Sequence, residues 1–141
     1  MIKLDWDNFS DKKMLDKVEE IKRYNFAKEI TVYASPSLNG YHCEIIPFWK
    51  LKDKTIFQYR YDLEDDKNRL LLDMLSDDSA VRNVLFNYKI KTKCGKSMKF
   101  ERVKLFTLVR MDNYSAWQKK TKQEKIPLYV KLDTNITKSM Y

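Results

Sequence analysis

The sequence predicts one α+β domain, and three observations predict it. A chain of 141 residues is long enough to bury a core without covalent staples. Hydrophobic residues make up 43% and charged residues 34%, and Trp6, Trp49, Trp117, nine Tyr and seven Phe give the composition of a globular chain rather than a disordered one. Finally, apolar residues recur with period two in some stretches and at helical spacing in others.

The elements follow in order. Ile2, Leu4 and Trp6 alternate with Lys3, Asp5 and Asp7, the pattern of a short half-buried strand whose polar face carries both aspartates. Ser10 suits a helix N-cap, Asp11 the first turn, and Met14, Leu15, Val18 and Ile21 the buried stripe of a helix over 11–24. Ile30 to Ala34 and Tyr41 to Phe48 read as strands of a hairpin around the turn-rich Ser35 to Gly40. Ile56, Phe57, Tyr59, Arg60 and Leu63 suit a short helix that ends in Glu64, Asp65 and Asp66. The leucine-rich run from Arg69 to Leu75 fits a helix by propensity and a buried strand by length, and the fold expected here places Leu71 in the sheet. Val84 to Thr92 and Met98 to Val109 read as two strands around Lys93 to Lys96, with Gly95 supplying a positive φ. A basic helix or arm over 117–125 and the segment Ile126 to Val130 complete the chain. Strand, helix, strand, strand, helix, strand is the ferredoxin-like or RRM-like order: an antiparallel sheet with helices on one face, extended here by a C-terminal hairpin and a basic tail.

Charge divides the chain. Residues 1–81 hold 13 Lys/Arg against 16 Asp/Glu, a net −3, whereas residues 82–141 hold 15 against 4, a net +11. A basic half of that size attracts polyanions by counterion release, which makes DNA or RNA the expected partner. Lys89, Lys91, Lys93, Lys96, Lys99, Arg102 and Lys104 are the expected phosphate contacts, and Tyr88 is placed to stack on a base. A basic face that only touches an acidic partner is the plainer alternative. No apolar run approaches the roughly 20 residues of a membrane span, and no export signal opens the chain, so a cytoplasmic protein is expected. Cys43 and Cys94 form no CxxC pair and have only His42 to share a metal with; both are expected as buried, reduced thiols. Gly-rich phosphate loops, GxSxG and HExxH are absent.

Strand parity carries the functional argument. Asp5 and Asp7 lie on the face opposite Ile2, Leu4 and Trp6, and His42 and Glu44 lie opposite Tyr41, Cys43 and Ile45. If Arg69 to Asp73 is also a strand, Arg69 and Asp73 join them, and three carboxylates converge with a histidine. Clustered carboxylates repel one another. A divalent cation that prefers oxygen ligands, Mg²⁺ or Mn²⁺, relieves that repulsion and supports phosphoryl transfer. The bland reading makes Asp5 and Asp7 solvated residues at a strand end, His42 a surface histidine, and Arg69 the partner of the acidic turn at 64–66.

Asp5-Trp6-Asp7, Gly40-Tyr41-His42 after a Ser/Pro-rich turn, and Leu71-Leu72-Asp73 resemble, in order, the DxD, small-x-His and hydrophobic-Asp motifs of the archaeo-eukaryotic primase superfamily. The likeness is nearest to its compact primase-polymerases from plasmids and viruses and covers residues 1 to about 75. It implies an RRM-like catalytic palm in DNA replication, of archaeal viral or plasmid origin, with Asp5, Asp7 and Asp73 as metal ligands and His42 as a contact to nucleotide phosphates. Arg69 joins His42 as a candidate phosphate contact. Family members often carry Arg before the glycine of the second motif, where Asn39 stands, and an additional N-terminal unit, whereas the first aspartate here is residue 5. Those departures leave two readings: a Mg²⁺- or Mn²⁺-dependent nucleotidyltransferase, working alone or with a replication protein, and a non-catalytic nucleic-acid-binding module.

Overall fold

The computed structural model describes residues 1–76, 85, 88–111 and 128–132. The chain runs β1 (Ile2–Asp7), α1 (Asp11–Lys22), β2 (Ala27–Ala34), β3 (Gly40–Pro47), α2 (Asp53–Asp62), α3 (Lys67–Leu75), β4 (Tyr88–Lys93), β5 (Lys96–Glu101), β6 (Val103–Arg110) and β7 (Tyr129–Leu132). A five-stranded antiparallel sheet has the order β1-β3-β2-β6-β7, and β4 and β5 form a separate two-stranded ladder. Because β3 runs antiparallel to both β1 and β2, the first two strands are parallel with the third between them. This is the split βαβ centre of the ferredoxin-like arrangement.

Period-two patterning builds the sheet. Ile2, Leu4 and Trp6 of β1, Ile30 and Val32 of β2, Cys43 and Ile45 of β3, and Phe106 and Leu108 of β6 are buried on one face. Met14, Val18 and Ile21 of α1 pack against them. Ser10 caps α1, its Oγ accepting the Lys13 amide at 3.1 Å, while Asp11 and Lys22 lie at the ends of the helix dipole that favour their charges. Gly40 is required where β3 meets β1. A Cβ there would lie 2.1 Å from the Trp6 carbonyl oxygen, inside any possible contact.

The structure corrects three expectations. Residues 67–75 are a helix, so Leu71 is not in the sheet. Asp66 caps this helix, its Oδ1 accepting the Arg69 amide at 2.8 Å, and only Leu70 is buried. A strand beside β1 has no place to pair, because the turn before α3 already occupies that edge: the Asp65 carboxylate accepts the Asp5 amide at 2.8 Å, and the Asp66 amide donates to the Asp5 carbonyl at 3.1 Å. The sheet extends instead from the β2 side, through β6 and β7. Second, the run expected as one strand from Met98 to Val109 is divided at Arg102 between β5 and β6. Third, Cys43 is buried as expected, but Cys94 is exposed in the hairpin turn, where Cys94 and Gly95 both have positive φ, 53° and 76°. That pair of angles matches the twist of a two-residue hairpin turn. The segment expected over 117–125 lies outside the described residues, as do Val84 and Ile126.

Candidate functional site

A cleft of about 540 Å³ opens where β1, β3, the β2–β3 turn, α3 and the root of the hairpin meet, and Asp5, Asp7, His42, Arg69 and Asp73 all line it. Asp5 and His42 are register partners on neighbouring strands, so alternation sends both side chains to the same face, away from the apolar core. His42 Nε2 lies 3.7 Å from Asp5 Oδ1, beyond hydrogen-bonding distance. Arg69 and Asp73 arrive by a different route. They are four residues apart on α3, and helical spacing puts i and i+4 on one face just as a strand would.

A charged network lies beneath the cleft. Arg60, fully buried in α2, pairs through Nε with Asp65 Oδ2 at 2.6 Å and through Nη1 with Asp73 Oδ2 at 2.8 Å. Arg69 Nη1 reaches Asp65 Oδ2 at 2.8 Å and the Lys3 carbonyl at 2.9 Å. Asp65 is therefore the hub: its two oxygens accept from two guanidinium groups and from the amides of Asp5 and Asp66. It fixes the backbone of Asp5 from below. Asp73, expected beside Asp5 and Asp7 as a third carboxylate ligand, lies in the cleft but against the Arg60 guanidinium, so its charge is already compensated. Asp66 takes the place beside the two aspartates of β1 and raises the pKa of each.

The electrostatics follow from burial. The Asp5 carboxyl is pushed up to about 7 by desolvation first and by Asp7 next, against a lowering influence from Arg69. Asp7 is raised by burial and by Asp66. His42 is lowered to about 4, by burial and then by the positive charges of Arg102 and Arg69. At neutral pH the histidine is uncharged. Asp5 Oδ1 and His42 Nδ1 are buried atoms without a hydrogen-bond partner among the described residues. A buried carboxylate oxygen left open is a site that asks for a proton or a cation. The oxygen donors of Asp5, Asp7 and Asp66 suit a hard divalent ion, although no group of three or more His, Cys, Asp or Glu among the described residues is already disposed to hold one.

The basic residues separate into two sets. Arg102 pairs with Glu44 at 2.9 Å and lies over the Tyr33 ring at 3.7 Å, and Lys104 lies over the same ring at 6.0 Å. Lys99 pairs with Glu101 at 3.2 Å and covers Tyr88. Lys89, Lys91 and Lys96 are exposed on the hairpin, with Lys89 and Tyr88 also at the cleft wall. Lys93 pairs with Lys96 in the ladder.

Sequence reasoning passed over Arg60 and Asp65 as functional residues and treated Asp66 as part of a solvated turn. The signal was present as alternating charges, Arg60, Asp65, Arg69 and Asp73, at intervals of five, four and four residues. No protein-family model matches the chain, and no curated protein or solved structure matches it.

Proposed function

We propose that the chain is a nucleic-acid-associated palm with a divalent-cation-dependent nucleotidyl-transfer site in the cleft of Asp5, Asp7 and His42. One observation carries this reading: Asp5 and Asp7 meet a third carboxylate, Asp66, at a half-buried position where Asp5 Oδ1 has no partner. Asp5, Asp7 and Asp66 would hold the ion, and a bound Mg²⁺ or Mn²⁺ supplies neutralisation of the charge on a transferring phosphoryl group. His42, neutral and facing the cleft, is suited to hydrogen-bond a phosphate oxygen or hydroxyl, and Arg69 contributes positive potential beside it. Asp65 and Arg60 keep the Asp5 backbone in place.

The second reading, a palm that binds nucleic acid without synthesis, is favoured by the Arg60–Asp73 ion pair, which removes one carboxylate of the resembled motif set from ligand duty. Metal separates the two. A ligand that binds only the folded state raises its melting temperature by mass action. Mn²⁺ is expected to raise the melting temperature of the wild-type chain, and Asp5→Asn with Asp7→Asn is expected to abolish that rise while keeping or increasing stability in its absence, since mutually repelling charges are gone. Incorporation of nucleotides on a primed template accompanies the shift if the site is catalytic. No shift and no incorporation would leave the binding module as the function.

A further inference from the structure

The β4–β5 ladder has two unlike faces. Its register sets Lys89 opposite Phe100, Lys91 opposite Met98 and Lys93 opposite Lys96, while Tyr88 faces Glu101, Ile90 faces Lys99 and Thr92 faces Ser97. Opposed residues of an antiparallel pair share a face. The first set of positions therefore collects four lysines, one aromatic and one methionine with no acidic residue, and the second collects Tyr88, Ile90, two hydroxyl residues and one lysine with the glutamate it pairs with, so the cationic charge is what sets the first face apart. On the first face Lys91 Nζ lies 5.5 Å from the Phe100 ring centroid, and Met98 is 60% exposed. The ladder begins at the cleft, whose wall includes Tyr88 and Lys89.

We propose that this lysine face is the docking surface for a single strand of nucleic acid, which it leads to the carboxylate cleft. Charge complementarity selects a polyanion. The interleaved Phe100 and Met98 select one whose bases are unpaired, because a flat apolar platform between cations stacks bases and tracks phosphates together, and duplex bases are not available for stacking. Two successive lysines on one face of a strand lie roughly 6.7 Å apart, so the face forms a continuous row of cations rather than one isolated charge. The delivery of the strand to the cleft rests on the function proposed above; the docking itself does not.

The test is fluorescence anisotropy of a labelled single-stranded oligonucleotide and of the same sequence as duplex, over about 50 to 200 mM salt. Wild type is expected to bind the single strand more tightly. Lys91→Glu with Lys96→Glu is expected to weaken single-strand binding by at least about tenfold and to flatten the log–log salt slope by about 1.4, the value for two lost phosphate contacts on a single strand. Lys12→Glu with Lys54→Glu, exposed on α1 and α2 and identical in net charge, is expected to change affinity by less than about threefold. Phe100→Ala is expected to weaken single-strand binding several-fold and leave duplex binding unchanged. Equal losses in the two double variants, or duplex bound as tightly as single strand, would overturn the proposal. Asp5→Asn with Asp7→Asn should leave metal-free oligonucleotide binding intact, so loss of the Mn²⁺ response and loss of hairpin docking are read independently. Far-UV circular dichroism of each variant confirms that the substitutions, including that of the partly buried Phe100, have not unfolded the chain.

Discussion

At the scale of single residues, Asp5 and His42 place opposite demands on pH. Asp5 has a folded pKa of about 7, against ~3.9 in an unfolded chain. The folded state therefore holds the extra proton, and the stability this group contributes is complete below about pH 4 and lost as pH rises through 7. His42 has a folded pKa of about 4, against ~6.5 unfolded. Here the unfolded chain holds the extra proton, and stability rises with pH over about 4 to 6.5. The two slopes oppose each other across that window, and Asp7, raised by burial and Asp66, adds to the falling one. His42→Gln should accordingly expose a stability that declines steadily as pH rises from about 4 to 7. Asp5→Asn should tip the balance toward stability that increases with pH. Melting temperatures measured in steps of pH check both, and a flat profile for His42→Gln would remove the raised Asp5 carboxyl from the account. This pairing was legible in the sequence, since strand alternation alone put Asp5 and His42 on one face. The proton affinities were not, because they depend on how much of the turn at 63–66 and of α3 covers the two side chains.

At the scale of elements, the contact between β1 and the 63–66 turn is the joint on which the cleft depends. Trp6 Nε1 donates to the Leu63 carbonyl at 2.8 Å, and the amide and carbonyl of Asp5 are both held, on the free edge of β1, by Asp65 and Asp66. Asp65→Ala would leave Arg60 buried without its nearest counter-charge and free two amides, a loss of about 3–5 kcal/mol. Urea unfolding measures it. Replacing Gly40 tests the facing strand: Gly40→Ala drives a Cβ into the Trp6 carbonyl, and the expected cost is about 1–3 kcal/mol or more, as for other overpacked sites. The elements themselves were largely readable. Ser10, the stripe of Met14, Val18 and Ile21, and the alternation in β1 to β3 each specify their element locally. The leucine run was not readable from its own residues. Helix and buried strand share the same apolar content over nine positions, and the deciding fact is nonlocal: the edge of β1 that a fourth strand would use is already hydrogen-bonded to the segment just before it.

At the scale of the whole molecule, the acidic and basic halves of the chain build one sheet. β2, from the acidic half, lies between β3 and β6, with Thr31 Oγ1 and Thr107 Oγ1 3.1 Å apart across a sequence separation of 76 residues. Neither half has a complete sheet without the other. Equilibrium unfolding followed by tryptophan fluorescence and by far-UV circular dichroism should therefore give coincident transitions. Two separated transitions would show that the basic half folds as its own unit. The charge division seen along the sequence survives in the fold as a carboxylate cleft with a lysine-bearing hairpin at its wall, so electrostatic attraction and the candidate chemistry belong to adjacent surfaces.

The position of β2 in the middle of the sheet has a further consequence during synthesis. A ribosome adds residues one after another, at about 5–20 per second, and β1, β2 and β3 can all pair once residue 47 has emerged. The strand that covers the other side of β2 begins only at Val103. For the seconds between, β2 presents a row of open amides and carbonyls next to Ile30 and Val32, which is the surface on which nascent chains stick to one another. The same arrangement that joins the two halves thus makes the newborn chain dependent on its last strands for solubility. A premature stop between the end of α3 at Leu75 and Val103 removes β6 while keeping β1, β2 and β3, and leaves the edge of β2 without its partner.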